Sequence, residues 1–273
     1  MRRCAIAVLF LLGLVVVSVA PGVSKEKPAG SVTIEYHGQS MFIITTSKGK
    51  RIAFDPHYIL AYQRDMPPLK ADIVCVSHNH NDHTRVEVFE KNKDMKILKG
   101  LKTGSLKSDW AVIDETIDDI KIRTVGVFHD DSEGLVRGKN AVFIVEVDGW
   151  RIVHLGDLGH QLNERQLKAI NRTGPVDVLM IPVGGIYTLN GAEAKKVVQQ
   201  LKPKEYIFPM HYGTDIFDDI LPVDEFLDGQ EKRNVAVTDD NVIRLNRDAS
   251  RPRPLIVQLH YWPKEEKKID KKK

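Results

Sequence analysis

Two stretches of this chain carry one pattern, and that internal repetition limits its fold more than any other feature. Ser40-Met41-Phe42-Ile43-Ile44-Thr45 leads through Lys48-Gly49 to Arg51-Ile52-Ala53-Phe54-Asp55. Much later, Ala141-Val142-Phe143-Ile144-Val145-Glu146 leads through Asp148-Gly149 to Arg151-Ile152-Val153-His154 and on to Asp157. Each copy reads as a β-hairpin whose turn contains glycine, the residue that takes up positive φ without steric cost. Each is followed by an acid that opens an apolar run, Asp72-Ile73-Val74-Cys75-Val76 in the first half and Asp177-Val178-Leu179-Met180-Ile181 in the second. The repetition predicts two β-rich half-units.

Helix signals separate these strands. Thr84 with Glu87 has the spacing of a capping box, and so does Asn163 with Gln166, flanked by Leu162 and Leu167 as a hydrophobic staple. Asn190 with Glu193 is the third such pair; behind it Ala194, Val197, Val198 and Leu201 form one apolar stripe, which Pro203 ends. Strands flanked by one-faced helices predict two central sheets covered by helices on the outside, a four-layer αββα sandwich of the α/β class. With 273 residues, 42% of them hydrophobic and 28% charged, the chain can bury such a core as one large domain or two tightly joined halves.

The chemistry is concentrated in Ser77-His78-Asn79-His80-Asn81-Asp82-His83, directly after the apolar run over residues 73–76. A strand that ends in a loop can turn His78 and His80 to one side while Asp82 and His83 reach a second point close by. Imidazole nitrogen and carboxylate oxygen suit Zn²⁺, Fe and Mn²⁺, and the lack of a thiolate argues against a closed structural zinc. Clustered imidazoles as plain loop polarity would be unfavourable, because only a shared cation makes such crowding worthwhile.

With His78, His80, Asp82 and His83 in place, the chain resembles the metallo-β-lactamase superfamily, whose hallmark is His-x-His-x-Asp-His. The resemblance extends over residues 31–211: His129 in Val127-Phe128-His129-Asp130, Asp157 after Gly156, and His211 in Pro209-Met210-His211-Tyr212 arrive in the family's order. It implies the αββα fold, with His78, His80 and His129 on one metal, Asp82, His83 and His211 on the other, and Asp157 between them. Within the superfamily the chain looks most similar to simple metal-dependent hydrolases, among them the L-ascorbate-6-phosphate lactonases and relatives of the N-acyl-phosphatidylethanolamine-hydrolysing phospholipase D. Flavo-diiron oxidoreductases of the superfamily usually carry Glu where this chain has His80, which favours a hydrolase.

The resemblance therefore implies a metal-dependent hydrolase of an ester, lactone, amide or phosphodiester, with two divalent cations, zinc first and Mn or Fe as alternatives. A bridging hydroxide would attack, oriented by Asp82, and His160, three residues past Asp157, is a candidate proton donor to the leaving group. A metal-binding or sensing protein without turnover and a mononuclear iron oxidoreductase are the competing readings. The substrate is expected to be a small molecule; oligomeric state is not readable.

Other residues near the motifs have weaker claims. Asp55 mirrors Asp157 and is expected to support the site from behind, His154 to be a core histidine, and His57 to lie at the site's edge. Asp130 or Asp131 is a candidate to orient an imidazole. The loop Gly184-Gly185-Ile186-Tyr187-Thr188 could contribute a hydrogen bond from Tyr187 or Thr188, and residues 58–70 could form a lid.

The ends suggest export. Arg2 and Arg3 precede an uncharged apolar stretch over residues 5–20, long for a signal core and short for a membrane span. Residues 1–24 read as a signal peptide or N-terminal anchor, 25–262 as the hydrolase domain and 263–273 as a charged tail, with the mature protein periplasmic or secreted. Cleavage removes Arg2 and Arg3 and no acid, so the formal charge falls from +3 to +1, which gives no general attraction to nucleic acid. Contact with a membrane is expected only through an uncleaved N-terminus. Cys75 is then the only cysteine left, a small core residue with no disulfide partner.

Overall fold

The computed structural model describes residues 31–63, 67–103, 108–247 and 250–261. The expected signal segment and the charged tail lie outside the described residues. No helix among the described residues is long and apolar enough to cross a membrane.

The first half begins with β1 (Thr33–Tyr36), β2 (Phe42–Thr45) and β3 (Arg51–Phe54), followed by one short helical turn, α1 (Leu60–Gln63), then β4 (Ile73–Val76) and β5 (Lys96–Lys99). The second contains β6 (Asp114–Ile117), β7 (Ile120–Phe128), β8 (Lys139–Val147), β9 (Trp150–His154), α2 (Glu164–Ile170), β10 (Val178–Pro182), α3 (Gly191–Leu201) and β11 (Tyr206–Met210). A C-terminal segment adds α4 (Asp224–Leu227), β12 (Val235–Val237), β13 (Val242–Arg244) and β14 (Leu255–Gln258). The strands form a six-stranded sheet in the order β13-β1-β2-β3-β4-β5 and an eight-stranded sheet in the order β12-β14-β11-β10-β9-β8-β7-β6. Two mixed sheets with few helices are the α/β sandwich that the resemblance implies.

The repeat survives in three dimensions. β2 pairs antiparallel with β3, which pairs parallel with β4; β8 pairs antiparallel with β9, which pairs parallel with β10. The acids that open the apolar runs have one job in both copies: Asp72 accepts the backbone N–H of Arg51 at 2.8 Å, and Asp177 that of Arg151 at 2.9 Å. Each satisfies a donor at the start of a neighbouring strand that the ladder leaves free.

Alternation divides the first sheet's side chains between two cores. Phe42, Ile44, Ile52, Phe54, Ile73 and Cys75 point into the large core between the sheets. There Phe54 meets Phe143 at 6.5 Å and stacks on His154 at 4.9 Å, so the two half-units share one interior. Ile43, Ala53, Val74 and Val76 face outward onto Val88 and Phe89. Helices α2 and α3 add Ile170, Ala194, Val197 and Leu201 to the large core.

Both predicted capping boxes on α2 and α3 form, with the Asn side chain accepting the third residue's backbone N–H and that residue's side chain accepting the backbone N–H of the Asn. The helix expected after Thr84 does not. Only a 3₁₀ turn over Val86–Val88 is present, and its N-cap, Arg85, makes no side-chain cap. The segment instead hydrogen-bonds to Leu69, whose N–H meets the Val88 carbonyl at 3.1 Å while the Glu90 N–H meets the Leu69 carbonyl at 2.7 Å. Pairing with residue 69 uses the backbone groups a helix would need, and it lays Val88 and Phe89 over the outer face of the first sheet. The outer layer on that side is a bridged loop with a turn, not a helix.

Candidate metal centre

Every residue of the histidine cluster follows the C-terminal end of a strand. His78, His80, Asp82 and His83 follow β4; His129 follows β7 directly, and His211 follows β11; Asp157 closes the turn after β9. Parallel pairing of β3 with β4 and of β9, β10 and β11 aligns these ends at one edge of the sandwich, where ligands of open α/β sheets gather.

His78, His80 and His129 form one set of potential ligands and Asp82, His83 and His211 another, each with its ligand atoms within 4.8 Å of one another; Asp55, His78 and His83 form a third, overlapping set behind them. Nε2 of His78 and Nδ1 of His80 are 3.0 Å apart, converging on one point. Oδ2 of Asp157 lies 3.3 Å from Nε2 of His129, 3.2 Å from Nε2 of His83 and 3.1 Å from Nε2 of His211, so one oxygen borders both groups. The structure thus brings together all seven residues that the sequence pointed to as ligands.

Their surroundings hold them in place. The Ser40 hydroxyl donates to Oδ1 of Asp157 at 3.1 Å, leaving Oδ2 for the histidines. Asn140, fully buried, donates its amide to the Leu155 carbonyl at 2.8 Å and accepts the Asp157 N–H at 3.3 Å. Gly156 takes φ +54° in this turn, and a Cβ there would stand 2.3 Å from Oδ1 of Asn140, so only glycine allows the approach. Asp55 works from behind: it accepts the Ser77 N–H and hydroxyl, both at 2.7 Å, and Nδ1 of His83 lies 3.1 Å from its Oδ2.

Protonation follows from this packing. Burial, with His83 adding to it, pushes His78 well below the usual histidine range, and burial together with His129 pushes His80 down to about 4. Burial would raise Asp157, but His211 and His83 hold it well below the usual carboxylate range; against the same effect of burial, His83 does this for Asp82. Neutral imidazoles and ionised carboxylates are the forms a metal ion needs. At His83 burial is overcome by Asp157, Asp82 and Asp55, which draw positive charge to that point. Nε2 of His83 is buried and faces two carboxylate oxygens, Oδ2 of Asp157 at 3.2 Å and Oδ2 of Asp82 at 3.4 Å, so three potential ligand atoms crowd one point. The donor set fits divalent metal.

The cleft above the cluster, about 340 Å³, is lined by His80, Asp82, His129, Asp157 and His211 together with Val136, Arg137 and Tyr187. Of the loop at residues 184–188, Tyr187 reaches the cleft, while the Thr188 hydroxyl turns to the Leu189 carbonyl at 3.4 Å. Asp130 organises the other rim. Its carboxylate accepts the N–H groups of Ser132, Gly134, Val136 and Arg137 at 2.6–3.1 Å, so it shapes residues 130–137 and does not orient an imidazole. Nothing in the local sequence singled out Arg137; only the four N–H groups converging on Asp130 explain where it points.

The remaining candidates lie elsewhere. Nε2 of His160 accepts the Phe128 N–H at 3.0 Å and Nδ1 donates to the Gln161 carbonyl at 2.7 Å, which commits both ring nitrogens to backbone. His57 is fully buried, with Nε2 2.9 Å from the His37 carbonyl, and does not line the cleft. His154 donates to the Ser40 carbonyl at 2.8 Å and stays in the core. The described part of residues 58–70 is pinned away from the cleft by Tyr62, fully buried against Tyr261 at 5.0 Å.

Residues 33–211 match the β-lactamase superfamily domain. This chain belongs to the metallo-β-lactamase superfamily. It is 30% identical over 201 residues to a UPF0173 metal-dependent hydrolase of Thermococcus onnurineus, a match covering 67% of this chain and 85% of that one. To its counterpart in Thermococcus kodakarensis it is 31% identical over 200 residues, with the same shares covered. A solved structure from Thermotoga maritima, described as a Zn-dependent hydrolase of the metallo-β-lactamase superfamily, superposes with a TM-score of 0.62 at 30% identity, covering 84% of this chain and all of that one. Those names specify no substrate, and the narrower likeness to the ascorbate-phosphate lactonases has no counterpart among them.

Proposed function

We propose that this metal-dependent hydrolase uses a dinuclear centre, zinc by preference, to cleave an ester, lactone, amide or phosphodiester bond of a small molecule. The observation that carries the reading is the position of Oδ2 of Asp157, within 3.3 Å of nitrogens from both histidine groups. His78, His80 and His129 would hold one cation and Asp82, His83 and His211 the other. Two such cations, once bound, supply hydroxide at neutral pH by lowering the pKa of water from ~15.7 towards ~7, and polarise the oxygen under attack.

The protein's own residues do the positioning. Asp157 keeps the two groups close, with its second oxygen fixed by Ser40. Asp82, less buried than its histidine partners and on the cleft wall, accepts a hydrogen bond from the nucleophile and aims it. Asp55 holds the ring of His83 from behind and Ser77 that of His78, its hydroxyl 2.9 Å from Nδ1. Arg137 and Tyr187 stand on the cleft wall beside these groups. Near-neutral charge after loss of residues 1–24 supports a substrate other than nucleic acid, and the Arg2–Arg3 start with its apolar stretch supports export.

Metal analysis of protein purified without added metal, followed by titration with Zn²⁺, Mn²⁺ and Fe²⁺, tests the centre. About two equivalents per chain are expected, because seven candidate ligands exceed what one tetrahedral ion takes. Saturation at one equivalent overturns the dinuclear reading. A panel of chromogenic esters, lactones and phosphodiesters then identifies the bond.

A further inference from the structure

Among the described residues, Arg137 is the only Lys or Arg that lines the cleft. It belongs to the loop that Asp130 gathers, and Nη2 donates to the Ile186 carbonyl at 2.8 Å on the opposite rim. Its guanidinium lies 5.0 Å from the ring centre of Tyr187, so the two rims meet above the metal groups through this one side chain. The acids nearest in sequence are otherwise engaged: Asp130 with four backbone N–H groups and Asp131 with the Ser132 hydroxyl. No carboxylate pairs with Arg137 among the described residues.

A guanidinium with one N–H group committed retains a planar fork of donors whose geometry matches an oxyanion. Its anchoring to Ile186 and Tyr187 lowers the entropy lost when that fork is used. Ile186 is itself held at φ +54°, a conformation that β-branched residues avoid, and its carbonyl is what Arg137 binds. Strain retained at the rim of a cleft marks a place where geometry is kept for binding.

We infer that Arg137 is a specificity residue that binds an oxyanion, a carboxylate or a phosphate, on the part of the substrate remote from the bond being cleaved. The inference rests on the hydrolase reading, because it assumes that the reacting bond lies over the histidine groups. The remainder of the substrate lies between Val136 and Tyr187. Arg137 does not touch the reacting atoms. It sets which molecules are held long enough to react.

Three 4-nitrophenyl esters of equal chain length, ending in methyl, carboxylate or phosphonate, test the inference on the metal-loaded full chain. Their non-hydrolysable ether counterparts are titrated by calorimetry in parallel. In the wild type the oxyanion-ended compounds are expected to bind and react about 10- to 100-fold better than the methyl-ended one, the worth of a hydrogen bond to a charged group. Arg137→Ala should collapse that ratio, and Arg137→Lys should restore part of it, because the charge returns without the fork. The carboxylate and phosphonate arms show which oxyanion is preferred.

Equal loss on all three compounds in Arg137→Ala, with the ratio unchanged, would mean that Arg137 only ties the rims together, and overturns the inference. So does a wild type that binds the three ethers equally. If no ester turns over while the ethers still show the Arg137-dependent ratio, the ester reading falls and the oxyanion site stands.

Discussion

Ser40 and Asp157 are 117 residues apart in the chain and 3.1 Å apart in the fold, hydroxyl to carboxylate oxygen. The contact joins the two half-units at the point where the metal groups meet. Ser40 is fully buried, and its own carbonyl accepts from His154, so Ser40 alone carries two bonds into the second half. The first half-unit thus positions the carboxylate that the second supplies.

Ser40→Ala should therefore weaken metal binding although Ser40 is no ligand. Loss of a supporting bond to a ligand typically costs ~10- to 100-fold in affinity. Competition with a chromogenic chelator reads this directly, and wild-type affinity in the variant would show that Asp157 needs no such support.

Asp82→Asn keeps the size of the side chain and removes its charge. Turnover on any accepted substrate should fall by orders of magnitude, because in the proposed centre this group would both bind the second cation and orient the nucleophile. Circular dichroism should remain that of the wild type, since Asp82 is partly exposed and packs no core. Activity within a few-fold of wild type, with metal content checked, sinks the proposed role.

Gly156→Ala should damage stability and site together. The added Cβ would meet Oδ1 of Asn140 at 2.3 Å and Cβ of Ser77 at 2.7 Å, at a φ of +54°. Both neighbours are fully buried and hydrogen-bonded, so neither can yield cheaply. A loss of about 2–4 kcal/mol is expected by denaturant unfolding; a loss below about 0.5 kcal/mol would show that the turn can relax.

The metal-free protein should be acid-sensitive, and His57 should account for part of it. Burial pushes His57 down to about 4, against about 6.5 in an unfolded chain. The unfolded chain therefore takes up the proton first as pH falls. The contribution is complete above about pH 6.5 and is lost between about 6.5 and 4, roughly 3 kcal/mol at most. Urea unfolding of chelator-treated protein near pH 7 and near pH 4.5 should show a smaller difference in His57→Gln than in the wild type. Identical differences would assign the acid sensitivity to other groups.

Local sequence was sufficient wherever a residue's role is decided by its immediate neighbours. The hairpin repeat, the capping boxes of Asn163 and Asn190, and the strand-end positions of His78, His129, Asp157 and His211 all follow from short-range periodicity, turn chemistry and motif spacing. Thr84 and Glu87 had the same spacing and failed, because the backbone beyond them pairs with Leu69 across a loop that no local rule anticipates. The strands after His211 were equally hidden: β13 crosses back to pair with β1, so its register is set by the first sheet. Tertiary structure also decided which polar groups serve the centre. His160 had the sequence position of a proton donor, and packing turned both its nitrogens to backbone. Arg137 had no motif at all, and a carboxylate gathering four N–H groups placed it over the histidine groups. A ligand motif is legible because one cation requires several donors at fixed spacing on neighbouring strand ends; the shape of the cleft above it depends on where separate loops meet, and that is settled only when the two sheets pack.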